Sequence, residues 1–184
     1  MENKPTEKHV YYGKGDVFAY RTYAKPLSGI TEIPESMFKG RHNIIFGTNV
    51  KVKIGGKAFI PSFTEGDNSL VVATDSMKNF IQRHLASYEG STLEGFANYV
   101  SEAFLKKYPQ IDYVSILAED IPFDVMPEFS ESSLKASNLV FRKSRNERAR
   151  SSLEMVRTEG GVEITEQSSS ILDLQLIKVS GNSF

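Results

Sequence analysis

The sequence predicts an α+β protein in which helices cover one face of an antiparallel sheet. Three observations carry this. Residues 10–23 are dominated by aromatic and β-branched side chains, and residues 43–54 alternate apolar and polar, both marks of strands. Residues 74–87 and 91–108 instead repeat apolar side chains at helical spacing. The resulting order of strand, strand, helix, helix, strand, strand groups the helices together rather than placing one between each pair of strands.

Taken in order, residues 1–8 are polar and expected to be a flexible N-terminus. In the first strand Gly13 and Gly15 flank Lys14, and glycine inside a strand signals a bulge or a close backbone approach. The GKGD stretch lacks the spacing of a phosphate loop, so Lys14 taken alone is a solvated strand lysine with room around its amine. Residues 25–41, with Pro26, Gly29, Pro34 and Gly40, read as a connecting loop. In 43–54, Ile44, Phe46, Val50, Val52 and Ile54 share one face and Asn49, Lys51 and Lys53 the other, which predicts a sheet with one wet face. Gly55-Gly56 predicts a hairpin that returns the chain through 57–64.

The stretch FTEGDNSLVVATDSMKN, residues 63–79, reads as a turn at Gly66-Asp67-Asn68, a short buried strand over 70–73, and the first turn of a helix. Thr74 and Asp75 are residues that can cap that helix, and free backbone N–H groups there would favour an anion. Met77, Phe80, Ile81 and Leu85 form its apolar stripe. Ser91 to Glu94 has the pattern of a capping box for the second helix, whose stripe is Leu93, Phe96, Ala97, Val100 and Phe104 and which Pro109 stops near Tyr108. The short link predicts antiparallel neighbours lying on the sheet. Further strands are expected at 111–118, at 137–158 in two runs divided at Ser151, at 162–166 after Gly160-Gly161, and at 171–179, with a loop around Pro122 and Pro127.

A chain of 184 residues supports one sizeable core or two small domains, and a net charge of −1 argues against a general nucleic-acid binder. The arginines between 142 and 150 read as a solvated basic strand for the same reason. No apolar run reaches the roughly 18 residues of a membrane span, and the N-terminus lacks a signal-peptide core. With no cysteine and three scattered histidines, neither a disulfide framework nor a metal-ligand spacing is expected.

Four segments, YYGKGDVFAYRTY, SFTEGDNSLVVATDSMKNFIQRHLASYEG, LVFRKSRNE and LQLIKVSGNSF, resemble the bacterial urate oxidases (uricases) in the right order, from His9 to the last residue. The resemblance implies the tunnelling fold (T-fold), with two antiparallel helices on a four-stranded antiparallel sheet and subunits joining sheets into a barrel. It also implies oxidation of urate by O2 and water to 5-hydroxyisourate and hydrogen peroxide, without metal or organic cofactor. By this resemblance Lys14 and Thr74 match the proton-relay pair, the backbone N–H of Asp75 contacts the purine, and Phe184 stacks on it. Urate must lose protons before it yields electrons, so a base is required. A lysine at its ordinary value near 10.4 is a poor base at neutral pH, and burial is what would lower it.

Subunits of the family carry two such domains in tandem. The expectation is therefore a first T-fold domain over 9–168 and, in 169–184, the lead into a second that this chain lacks. The family's purine-clamping arginine and glutamine, and its asparagine and histidine near O2, belong to that second half. A homotetramer with sites between subunits and a cytoplasmic setting are implied. The alternative is a non-catalytic T-fold unit that assembles or binds purines without turnover. A pterin or purine-nucleotide enzyme of the same fold is disfavoured because its metal site and motifs are missing.

Overall fold

The alternating stretches do become strands, and the computed structural model, which describes residues 9–130, 133–177 and 179, arranges most of them in one sheet. The strands are β1 (Tyr11–Thr22), β2 (Ile45–Gly55), β3 (Tyr113–Asp120), β4 (Phe123–Ser130), β5 (Ser133–Lys143), β6 (Arg148–Thr158) and β7 (Gly161–Leu172). The helices are a short α1 (Ile60–Thr64), α2 (Thr74–Ser87) and α3 (Leu93–Lys107). The main sheet has the order β1-β2-β3-β6-β7 with every pair antiparallel, and β4 and β5 form a separate two-stranded arm. The architecture is α+β as expected, with five strands in the sheet rather than four.

One face of the sheet is covered. α2 packs on β1, and α3 on β3 and β6. The stripe residues expected to face the sheet, Met77, Phe80, Ile81 and Leu85 from α2 and Leu93, Phe96, Ala97, Val100 and Phe104 from α3, are all buried there. They meet Val50, Val52 and Ile54 of β2, Val114 and Ile116 of β3, and Leu153 and Met155 of β6 in one core. The helices are antiparallel: Phe80 meets Tyr108 and Phe104, His84 meets Tyr99, and Tyr88 meets Phe96, so rising numbers in one face falling numbers in the other. Arg157 donates to the carbonyls of Leu105, Tyr108 and Ile111, placing a cation at the negative end of α3.

Several local expectations are corrected. Gly55-Gly56 is no hairpin: β2 is already flanked by β1 and β3, so a returning strand has no free edge, and the chain winds through a 3-10 turn (Lys57–Phe59) into α1. Asp112 accepts from the Lys57 N–H at 3.0 Å to start that turn, and Pro61 suits the first turn of α1. Residues 70–73 form no strand: side chains take the Leu70 carbonyl and the Val72 N–H, and the Val71 N–H turns back to the Asn68 carbonyl, so no neighbouring strand pairs with them. The cap of α3 is Thr92, whose hydroxyl accepts from Gly95 N–H at 3.1 Å. Glu94 therefore sits one position too early to close a box with Thr92, and it accepts from Ser169 instead, at 2.7 Å. Thr92→Ala is expected to cost about 1 kcal/mol, read by denaturant unfolding.

Further along, Pro127 lies within β4 rather than in a loop, tolerated because the ladder to β5 shifts register between Val125 and Pro127. Residues 137–158 divide at 144–147 into β5 and β6, ahead of the expected break. β7 is longer than the expected 162–166, and among the described residues of the run 171–179 only Ile171 and Leu172 belong to it. Asp173 turns the chain with φ 56°, and Leu174, Leu176, Ile177 and Val179 are exposed. The arginines near 145 find acidic partners across the fold. Arg145 and Arg41 reach Asp120, Arg150 reaches Glu119, and Arg148 reaches Asp173.

Candidate active site

Lys14 owes its position to a bulge. It stands opposite Val52, and Val17 stands opposite Val50, so Gly15 and Asp16 together face the single residue between those valines. Residues directly opposite in an antiparallel pair share a face. Val50 and Val52 are each 1 % exposed on the helix-covered side, so Lys14 and Val17 both belong to that side. In an unbulged strand, residues three apart would point to opposite faces. The extra residue sits at Asp16, with φ 53° and its carboxylate accepting from Asn49 at 3.3 Å. Gly13 is the close approach, since a Cβ there would lie 1.9 Å from the Val52 carbonyl oxygen.

Thr74 and Asp75 open α2, though neither is its side-chain cap: the cap position is Ala73, and no side chain caps it. The ladder begins with Met77 N–H on the Ala73 carbonyl at 3.1 Å, which leaves the N–H groups of Thr74, Asp75 and Ser76 outside it. All three residues are exposed. Here the positive end of the helix dipole and three backbone donors point outward, which suits an anion.

Three straps lay α2 along β1 in the same direction. Val72 N–H donates to the Tyr12 hydroxyl at 2.7 Å, Gln82 donates to the Phe18 carbonyl at 3.1 Å, and Arg21 donates to the Tyr88 carbonyl. Rising numbers in the strand meet rising numbers in the helix. Lys14 and Thr74 each lie two residues past the first strap, so the half-buried lysine and the exposed helix start belong to the same end of the layer. Among the described residues no hydrogen bond joins Lys14 to Thr74. Phe184 lies outside the described residues. Tyr12 went unnoticed in the sequence, although as an aromatic two residues before Lys14 it was bound to share the lysine's face.

Two clefts lie elsewhere. One, of about 280 Å³, is bounded by Arg41, His42, Asp120, Phe123, Phe141 and Arg145. The other, of about 300 Å³, is bounded by Tyr11, Lys57, Asp112, Tyr113 and Arg157. Among the described residues no three His, Asp or Glu side chains converge as a metal-ligand set, and no helix is long and apolar enough to cross a membrane.

Asp120 gives the first cleft a pH signature. Burial holds its carboxyl above the ordinary 3.8, and Arg41 at 2.8 Å and Arg145 at 3.9 Å offset only part of that. A carboxyl raised in the folded state binds its proton more tightly there than in the unfolded chain. Its contribution to stability is therefore greatest below the unfolded value and declines as pH rises through the folded one. Melting the chain beside Asp120→Asn from about pH 4 to 7 tests this. The unmodified chain is expected to lose ground with rising pH, and a gap moving the other way would mean that the arginines outweigh burial.

Comparison with known proteins bears on the chemistry. The family model described as uricase matches residues 12–149. The chain is 62% identical over 173 residues to the uric acid degradation bifunctional protein PucL of Bacillus subtilis, covering 94% of this chain and 35% of that protein. It is 50% identical over 175 residues to the uricase of Haloferax volcanii, covering 94% and 57%. Its fold matches a crystal structure of urate oxidase from Bacillus sp. TB-90 with a TM-score of 0.88 at 61% identity, over 95% of this chain and 58% of that one. The chain thus spans between about a third and three fifths of the length of these relatives.

Proposed function

The chain belongs to the uricase family, and from that premise we propose that it forms the first half of a urate oxidase, in which Lys14 and Thr74 move protons from urate. The overall change is urate plus O2 plus H2O to 5-hydroxyisourate plus H2O2. Urate gives two electrons to O2, and water supplies the new hydroxyl. In this reading the Lys14 amine takes a proton from urate, and the Thr74 hydroxyl relays it toward the reduced oxygen. The N–H groups at the start of α2 face the charge that develops on urate and peroxide, where preorganised donors contribute most. Asp75 N–H holds the purine, and Phe184 stacks on its ring.

The observation that carries this reading is the strapping of α2 along β1, with Lys14 and Thr74 each two residues beyond the Tyr12–Val72 bond. The domain reading proposed with it makes 9–168 the first T-fold unit and 169–184 the lead into a second. Assembly as a cytoplasmic homotetramer with sites between subunits belongs to the same proposal; sedimentation of the assembled protein tests the oligomer. β1 and β7, the outer strands of the sheet, are where another sheet would pair.

The deciding experiment incubates the purified chain with urate and a chelator in air and follows urate and peroxide together. Equal amounts of urate lost and peroxide formed support the proposal. A folded chain without turnover is then co-expressed with a polypeptide supplying the remainder of a uricase subunit. Urate binding with no peroxide, even then, would refute it in favour of a unit that binds without turnover.

A further inference from the structure

We propose that Tyr12 is a positioning residue for the Lys14–Thr74 pair, its hydroxyl setting where α2 begins relative to the lysine; this rests on the urate-oxidase reading. The segment before Thr74 has no ladder to hold it. Ahead of the helix ladder, and among the described residues, its backbone is tied by Val71 N–H to the Asn68 carbonyl, Gln110 to the Leu70 carbonyl, and Val72 N–H to the Tyr12 hydroxyl. Only the last of these reaches the strand that carries Lys14.

The bond is built to be rigid. Val72 is 5 % exposed, so its N–H has little access to water as a substitute acceptor. The Tyr12 ring stands edge-on to Phe59 at 5.2 Å, and Phe59 is fully enclosed by the core. Tyr12 lies opposite Ile54 and Lys14 opposite Val52, so phenol and amine leave the same face of the same strand. Burial pushes the phenol above its ordinary 10.0, so the oxygen meets Val72 as a neutral hydroxyl throughout the range of an enzyme assay. A flexible link here would let Thr74 drift from Lys14, and a misplacement of about 1 Å costs on the order of a hundredfold in rate.

Tyr12→Phe keeps the ring and removes the acceptor. Amide hydrogen exchange is read on the full 184-residue chain, and turnover in whichever preparation of the unmodified chain oxidises urate, alone or co-expressed. Exchange at Val72 is expected to accelerate about tenfold or more with α3 unchanged, because a buried donor loses its partner. The kcat is expected to fall about tenfold with KM within about threefold, as for an interaction that acts in the transition state. Gln110→Ala frees the neighbouring Leu70 carbonyl from the solvent side and should change kcat less than about twofold, since it leaves the tie to β1 intact.

Unchanged Val72 exchange in Tyr12→Phe overturns the proposal. So does faster exchange with unchanged kcat, which would make the bond merely structural, or an equal loss in Gln110→Ala. If the unmodified chain oxidises no urate in either preparation, the urate-oxidase reading falls by itself, and Val72 exchange alone decides whether Tyr12 sets the helix start.

Discussion

Replacing Lys14 by methionine is expected to lower urate turnover by at least about a hundredfold while the fold stands, because a positioned general base contributes roughly 10²–10⁴ in rate. Methionine keeps the unbranched apolar stem against Val52, the residue opposite, and removes only the amine. Lys14 is half-buried and outside the hydrophobic core, so the stability change should stay within about 0.5 kcal/mol. Initial rates beside a thermal melt separate the two effects. Unaltered turnover in a well-folded Lys14→Met protein would remove the lysine from the chemistry. A loss of rate and of melting temperature together would leave it a structural residue.

Gly13→Ala should do the reverse, striking the fold first. The added methyl would lie 1.9 Å from the Val52 carbonyl oxygen and 2.9 Å from the Lys53 Cα. Both are backbone atoms in a paired strand, so neither can swing aside as the end of a side chain would. β1 and β2 must separate next to Lys14, at a cost of roughly 3 kcal/mol, the upper end for overpacked sites. Gly15 supplies the control, since a methyl there would have nothing within 4 Å of it. Gly15→Ala should change stability by no more than about 0.5 kcal/mol. Denaturant midpoints of the two variants decide it, and a Gly13→Ala cost below about 1 kcal/mol would mean that the strands yield more easily than close packing allows.

What could be read from the sequence follows from the range of the forces involved. Helix positions and their buried stripes are local matters of spacing, so Met77 to Leu85 and Leu93 to Phe104 were legible residue by residue. The glycines around Lys14 signalled a bulge and a close approach, and both occur. Misreadings arose where a distant partner decides. Gly55-Gly56 looks like a hairpin until β3 occupies the other edge of β2, some 60 residues further along. Residues 70–73 look like a strand until Tyr12 and Gln110 take their backbone groups.

The sequence by itself determined the α+β class, the two helices and their core faces, and the motifs that place the chain among the uricases, because these depend on local periodicity and on residue identity. Only the tertiary structure decided which face Lys14 presents and which end of α2 lies at the same end of the layer. Both depend on one extra residue in β1 and on hydrogen bonds between positions about 60 residues apart. No local pattern encodes such a pairing, since it exists only once strand and helix lie side by side.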